Sequence, residues 1–330
     1  MNLNEIKNAA KALLPTLQTV PTRFRAYQLG NAGASFSYCD GKTFTLIEAR
    51  VTDISRPNLV TELKKCGKSR IDTLHITSWD KDHCNHSELL EILKTWSPTR
   101  IEYPGYDPST ECGNVCKTTI EQYCKDLRDR KGIAMTPTYI KSLKSITGYG
   151  YQDVVYHPKS LVKTPNDNST VKLFRTGCFN VLSLGDVEST DIAALLKACS
   201  TARKEVDVLI LPHHGADNGF MTSDLLDEIK PKLAVCAANN SNQYSHPAPT
   251  IRTLLTNKGI QIATTVRGDI LVCSDNGTSS VQWYDTMAGT TALHKHDVFE
   301  PKKFPRLSQH SDNIRARANP APYRTGLRKR

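Results

Sequence analysis

The order of patterns along the chain predicts an α/β (α+β) sandwich of four layers, with helices outside two β-sheets. Two observations carry this. The first part of the chain reads as strand, turn, strand, with alternating residues over Phe24–Leu29 and Thr43–Glu48 joined by glycine and Asp-Gly turns. From residue 171 onward, strand-like apolar runs alternate with helical patterns, and that switch fits a layered sandwich.

Taken in order, residues 1–20 read as one helix closed by Pro21. Pro57 opens a second helix through Cys66, and Gly67 stops it. Ile71–Thr77 is an apolar strand, Ser87–Lys94 begins a helix, and Arg100–Tyr103 is a further strand. Residues 104–163 are less regular, with one helix at Val115–Arg130, and read as an insert, either a roof over a site or a surface elaboration. Strands follow at Val171–Phe174, Phe179–Leu184, Val206–Leu211, Leu233–Ala237, Ile260–Thr264 and Ile270–Cys273. Helices at Thr190–Cys199, Thr222–Ile229 and Thr250–Lys258 alternate with them. The main domain is therefore set at 21–285, and 286–330 is expected to be a disordered basic tail.

Composition narrows the class. At 330 residues, 38% hydrophobic, the chain carries no apolar run near the ~18–20 residues of a membrane span. Met1–Leu14 is an amphipathic pattern interrupted by Lys7 and Lys11, not a secretory signal. The ten cysteines are scattered singly and read as a reduced, cytoplasmic set. Cys112, Cys116 and Cys124 form a cluster too sparse for a zinc knuckle. Of the net charge of +10, +7 lies beyond residue 294, so the folded body carries about +3.

The residues with chemistry lie where strands end. Ile71–Thr77 empties into Ser78-Trp79-Asp80-Lys81-Asp82-His83, which puts Asp80, Asp82 and His83 in one loop. Asp186 follows a buried strand in a Gly-Asp turn, and His213-His214-Gly215 ends another. Asn166-Asp167-Asn168-Ser169 is an Asx-type turn, and Tyr244-Ser245-His246-Pro247 is a loop after a strand. Hydrolysis of an unactivated ester near neutral pH needs a strong nucleophile, and a divalent metal provides one by lowering the pKa of water toward ~7. Carboxylates and imidazoles brought together from separate strand ends are what such a metal requires.

These pieces, together with Gly30-Asn31-Ala32-Gly33 and Asp40–Glu48 upstream, resemble the metallo-β-lactamase hydrolase fold. The closer resemblance is to the soluble C-terminal hydrolase domain of ComEC-like DNA-uptake channels, here in a freestanding form. It covers roughly residues 22–284, in family order. It implies a metal-binding role for Asp80, Asp82, His83, Asp186, His213 and His214, with Asp82 also orienting the attacking water. It implies substrate contacts for Asn168, Ser169 and Tyr244, and a substrate or leaving-group contact for His246. Glu48 stands where a carboxylate holds a ligand histidine by a hydrogen bond.

The chain also departs from the family pattern, H-x-D-x-D-H or H-x-H-x-D-H. Ser78 replaces the first histidine, and Asn85-His86 replaces a Gly-Gly. One or two divalent ions are expected; without that imidazole the first keeps mainly the oxygens of Asp80 and Asp186, which favours Mn²⁺ or Mg²⁺, with Zn²⁺ also within reach. His86 or a hydroxyl would compensate for the lost imidazole; otherwise the site is weakened. The resemblance implies a metal-dependent phosphodiesterase or nuclease acting on DNA or a related polymer, with nucleic acid and the proteins of an operon-encoded system as partners. A small-molecule phosphodiesterase and a catalytically weakened binding subunit are the alternatives.

Overall fold

A computed structural model describes residues 22–143, 153–239, 244–275, 278–285 and 292–302. The expected helix at 1–20 and the stretches 286–291 and 303–330 of the expected tail lie outside the described residues. The described elements run β1 (Arg23–Ala26), β2 (Phe36–Cys39), β3 (Phe44–Ile47), α1 (Arg56–Lys65), β4 (Thr73–His75), α2 (His86–Trp96), β5 (Arg100–Pro104), α3 (Glu111–Asp126), β6 (Lys131–Met135), α4 (Pro137–Leu143) and β7 (Val154–His157). The second half continues with β8 (Val171–Phe174), β9 (Val181–Ser183), α5 (Thr190–Ala198), α6 (Ser200–Glu205), β10 (Val208–Ile210), α7 (Ser223–Ile229), β11 (Leu233–Cys236), α8 (Pro249–Asn257), β12 (Gln261–Thr264), β13 (Ile270–Asp275), β14 (Thr278–Asp285) and β15 (Ala292–Phe299).

The strands form a nine-stranded sheet, ordered β15-β14-β13-β1-β2-β3-β4-β5-β6, and a six-stranded sheet, ordered β12-β11-β10-β9-β8-β7. Strand periodicity explains why they stack. On β3, Phe44 and Leu46 point outward to Leu59, Leu63, Leu89 and Ile92 of α1 and α2, while Ile47 points inward. On β10 the same alternation sends Leu209 toward α5 and α7, and Val208 and Ile210 toward Phe24, Phe36 and Val272 of the other sheet. Three apolar interfaces result: helix on sheet, sheet on sheet, sheet on helix. The fold is the four-layer αββα sandwich that the chain's patterning indicates. Burying each such Leu or Phe contributes about 1.5–3 kcal/mol.

Helix starts follow from capping. Asn85 accepts from the Ser87 and Glu88 backbone N–H groups at the head of α2. Thr110 accepts from Gly113 N at the head of α3, and Thr222 from Leu225 N at the head of α7.

Within 104–163, α3 leads into β6, which pairs in parallel with β5 from Arg100↔Lys131 to Pro104↔Met135 and extends the sheet. One expectation changes. Residues 292–299, assigned to the tail, form β15 and pair with β14 from Ser279↔Phe299 to Asp285↔Ala292. β15 is mostly exposed, so its sequence shows no apolar alternation. Phe299 anchors it against Phe179 at 6.3 Å between ring centroids, and Lys295 lies 4.5 Å over the Trp283 ring.

Topology sets the place of the site. The parallel pairs β3–β4 and β9–β10–β11 put the ends of those strands along one rim. There Thr170 N, just before β8, donates to Thr77 O, just after β4, at 3.1 Å and joins the two sheets. The rim is a crevice outside carboxyl strand ends, where α/β sheets commonly bind ligands.

Candidate metal centre

The loop after β4 is built to hold its side chains still. Trp79 is buried and donates its indole N–H to Tyr106 O at 2.9 Å. His83 N and Cys84 N both donate to Asp80 O, at 2.9 and 2.8 Å, closing a tight turn, and Ala49 N donates to His83 O at 2.8 Å. The Gly30–Gly33 turn meets the loop from outside, where Ala34 N donates to Asp82 O at 3.0 Å. At Gly33, with φ +138°, a Cβ would stand 2.7 Å from Asp82 O, so only glycine permits this approach.

Opposite stands the turn after β10. His213 (φ 44°, ψ 50°) and His214 (φ 52°, ψ 20°) are consecutive left-handed residues. Such strain persists only where the surroundings fix it. Here His213 N donates to Gly185 O at 3.0 Å, and Gly185 itself has φ +57°.

These loops bring ligand atoms of Asp82, His83 and His214 within 4.8 Å of one another. His214 Nε2 lies 3.1 Å from Asp82 Oδ2, and its Nδ1 lies 3.0 Å from Ala237 O. His83 Nε2 lies 2.8 Å from Asp186 Oδ2 without hydrogen-bond alignment, and Asp186 Oδ1 is buried with no hydrogen bond. Two ligand atoms so close and not aimed at each other suit a shared cation. Behind them, His83 Nδ1 sits 3.2 Å from Glu48 Oε1. Glu48 accepts from Thr77 N and Oγ1 at 3.0 and 2.6 Å. A carboxylate behind a ligand histidine fixes its ring and tautomer.

Electrostatics point the same way. Burial opposes charge on His83, but Asp186, Glu48 and Asp82 outweigh it and raise its pKa well above the usual value. His214 is raised too, against burial, by its bond to Asp82. Burial would raise Asp82 and Asp186, yet His83 and His214 hold both below the usual carboxylate range. Asp80 is pushed up by burial and by the charges of Asp186 and Asp82. No lysine or arginine pairs with Asp80, Asp82 or Asp186 among the described residues. The carboxylates therefore demand positive charge, and imidazoles are what meets them. These residues fit a divalent cation held by Asp82, His83 and His214, with Asp186 at its edge.

Other expected residues lie differently. Ser78 is buried, with its hydroxyl 3.4 Å from Asp80 Oδ2 and 3.3 Å from Tyr106 OH, so it is the hydroxyl nearest the lost imidazole's place. His86 does not join the cluster: its Nε2 is 3.3 Å from Thr119 Oγ1 on α3, because helix α2 turns its first residue away. His213 turns to Glu188, whose Oε1 contacts its Nδ1, and stands 6.4 Å from His246 between ring centroids. His246 stacks on the exposed Tyr244 ring at 5.6 Å. Burial, then the nearby His214 and His213, lower the His246 pKa.

Asn168 is a correction. It is buried, and its carboxamide holds backbone instead of facing the rim, accepting from Val162 N at 2.8 Å and donating to Val162 O at 2.8 Å and Thr164 O at 3.3 Å. Ser169 is buried beside Gly185, where a glycine Cβ would stand 2.8 Å from the Ser169 Cβ. Two of the expected imidazoles, those of His83 and His214, enter the cluster with Asp82. Sequence reasoning missed Glu188 and Tyr106. Glu188 is signalled only by its place two residues after Asp186, and Tyr106 by nothing local.

No family model matches the chain. It is 25% identical over 240 residues to ComE operon protein 3 of Bacillus subtilis (strain 168), an alignment spanning 72% of this chain and 27% of that protein. The chain thus matches only about a quarter of that relative's length. Among solved structures, it is similar to a CmlA beta-hydroxylase mutant, with a TM-score of 0.43 and 12% identity over 76% of this chain and 53% of the other. It is also similar to Igni18, a metallo hydrolase from the hyperthermophilic archaeon Ignicoccus hospitalis, with a TM-score of 0.42 and 12% identity over 76% of this chain and 98% of the other. The chain's sequence is thus similar to part of a ComEC-like protein, and its described residues form a four-layer αββα sandwich.

Proposed function

We propose that the chain is a metal-dependent phosphodiester hydrolase, a nuclease acting on DNA or a related nucleotide polymer. The observation that carries this reading is the convergence of Asp82, His83 and His214 from two sheets onto one rim, with Asp186 against His83. Two imidazoles beside carboxylates suit Mn²⁺ and Zn²⁺ better than the oxygen-only shell Mg²⁺ favours. When bound, the cation supplies Lewis acidity and a readily ionised water.

The chain's own groups do the rest. Asp82, with 38% of its side chain exposed, would hold the cation and orient the attacking water. Glu48 and Thr77 lock His83. His246, 6.4 Å from His213 between ring centroids, would supply a hydrogen bond to the leaving oxygen. The resemblance to ComEC-like hydrolases supports a DNA strand as substrate.

The purified chain with Mn²⁺ is expected to cleave linear and circular DNA, and Asp82→Ala and Asp186→Ala to lose that cleavage. Equal cleavage by the variants would end the reading. The buried Ser78 in place of an imidazole favours a second reading, a weakened binding subunit. Metal bound at full occupancy with no cleavage of any phosphodiester would support it.

A further inference from the structure

The loop between β7 and β8 has no role in the centre described above, yet it is fixed beside it. All of residues 159–165, Lys-Ser-Leu-Val-Lys-Thr-Pro, are exposed, with Leu161 and Val162 each 48% exposed. An exposed coil of this kind is ordinarily left to solvent. Here the buried Asn168 carboxamide grips it at Val162 N, Val162 O and Thr164 O, and His157 Nε2 lies 2.5 Å from Asp167 O at its base. The same turn is tied to the metal rim. Asp167 accepts from Glu188 N and Ser189 N at 2.8 and 2.7 Å, and Asn166 donates to Glu188 at 3.2 Å.

Topology sets the distance. β7 pairs antiparallel with β8, and β8 with β9, so the end of β7 lies on the rim where β9 delivers Asp186. Two strand spacings separate them, ~10 Å. Phosphates along one strand of a duplex are spaced ~3.4 Å apart on the axis, so the loop stands about three nucleotides from a phosphate held at the centre.

We propose that residues 159–165 are a grip for a nucleic-acid strand, with Leu161 and Val162 packing against bases and Lys159 and Lys163 facing phosphates. This deepens the nuclease reading and rests on it: a polymer reaches both loop and centre, whereas a mononucleotide or a lipid headgroup does not. The pattern is cation, two aliphatics, cation, and aliphatic wedges between bases are a known way to hold nucleic acid. Asn168 then serves substrate indirectly, by presenting the loop.

The test compares two substrates on the full chain with Mn²⁺: a single-stranded oligonucleotide and bis(p-nitrophenyl) phosphate, which is too small to reach the loop. Leu161→Ser with Val162→Ser is expected to raise KM for the oligonucleotide about tenfold, the scale of losing the partial burial of two aliphatic side chains. It should leave the small ester within twofold. Lys159→Ala and Lys163→Ala should each flatten the dependence of log affinity on log salt by about 0.7. An unchanged oligonucleotide KM overturns the grip, and so does an equal loss on both substrates, which would mark a disturbed centre. If wild type cleaves neither substrate, the hydrolase reading fails by itself. Fluorescence anisotropy of the labelled oligonucleotide then decides the grip, which predicts weaker binding by the variants. Loss of cosedimentation with phosphatidylglycerol vesicles while oligonucleotide binding stays intact would assign the loop to a membrane surface and overturn it.

Discussion

β4 delivers two buried polar groups that look alike in composition and differ in what balances them. Its last residue, His75, lies between the sheets, with Nδ1 2.8 Å from Glu102 Oε2, and Lys172 Nζ lies 2.8 Å from the same oxygen. Arg100 pairs with Glu102 on the other side at 2.8 Å, and Lys172 sits 4.7 Å over the Phe174 ring. Burial would raise the Glu102 pKa, but Lys172, His75 and Arg100 hold it well below the usual range. Lys172 is raised, against burial, by Glu102 and Asp153. That group is closed: fixed cations of the chain meet its carboxylate. A few residues on, at the rim, Asp82 and Asp186 meet imidazoles, and neither they nor Asp80 pair with a lysine or arginine among the described residues. A buried carboxylate cluster with its own lysine serves the fold. One balanced by imidazoles at an open strand end asks for a cation from outside.

The contrast can be broken from the core side first. Lys172→Met leaves Glu102 buried beside fewer cations and is expected to cost about 3–5 kcal/mol, the usual result of removing one partner of a buried pair. Denaturant unfolding would measure it. Metal content should not change, and a loss of metal would show that the two groups are one system.

A smaller effect separates them by pH. In the metal-free chain, the raised His83 and His214 pKa values stabilise the fold fully below ~6.5, and this is lost as pH rises through the raised folded values. Glu102, held low, and Lys172, held high, stay charged across that window. Tm of the chelator-treated protein should therefore fall as pH is taken upward from 6.5. The added stability from Mn²⁺ should grow over the same range, because the cation needs deprotonated imidazoles. Each unit of raised pKa accounts for about 1.4 kcal/mol. A flat Tm with no pH dependence of the metal effect would contradict the assignment of charge to the rim.

The layers and the rim were legible in the sequence for a local reason. Asp80, Asp82, His83, Asp186 and the His213–His214 pair each follow an apolar strand, and parallel strands end on one side. What could not be read is decided by contacts between segments far apart. His-His-Gly does not say which imidazole points inward; Glu188, against His213, and Asp82, against His214, sort them. An Asx turn is compatible with Asn168 facing substrate or backbone, and Val162 and Thr164 claim it. β6 and β15 are edge strands of the larger sheet, with little buried surface, so neither has a clear period-two pattern. Ser78 was legible as a departure, but its partner Tyr106 lies 28 residues away in sequence.

Titration calorimetry of the chelator-treated protein with Mn²⁺, on wild type and Asp82→Ala, tests the centre most directly. The account predicts saturable binding of at least one ion per wild-type chain. For the variant it predicts affinity weakened by more than ~100-fold, beyond the range for groups that merely orient a ligand. Equal binding by both proteins, or none by wild type, would contradict it.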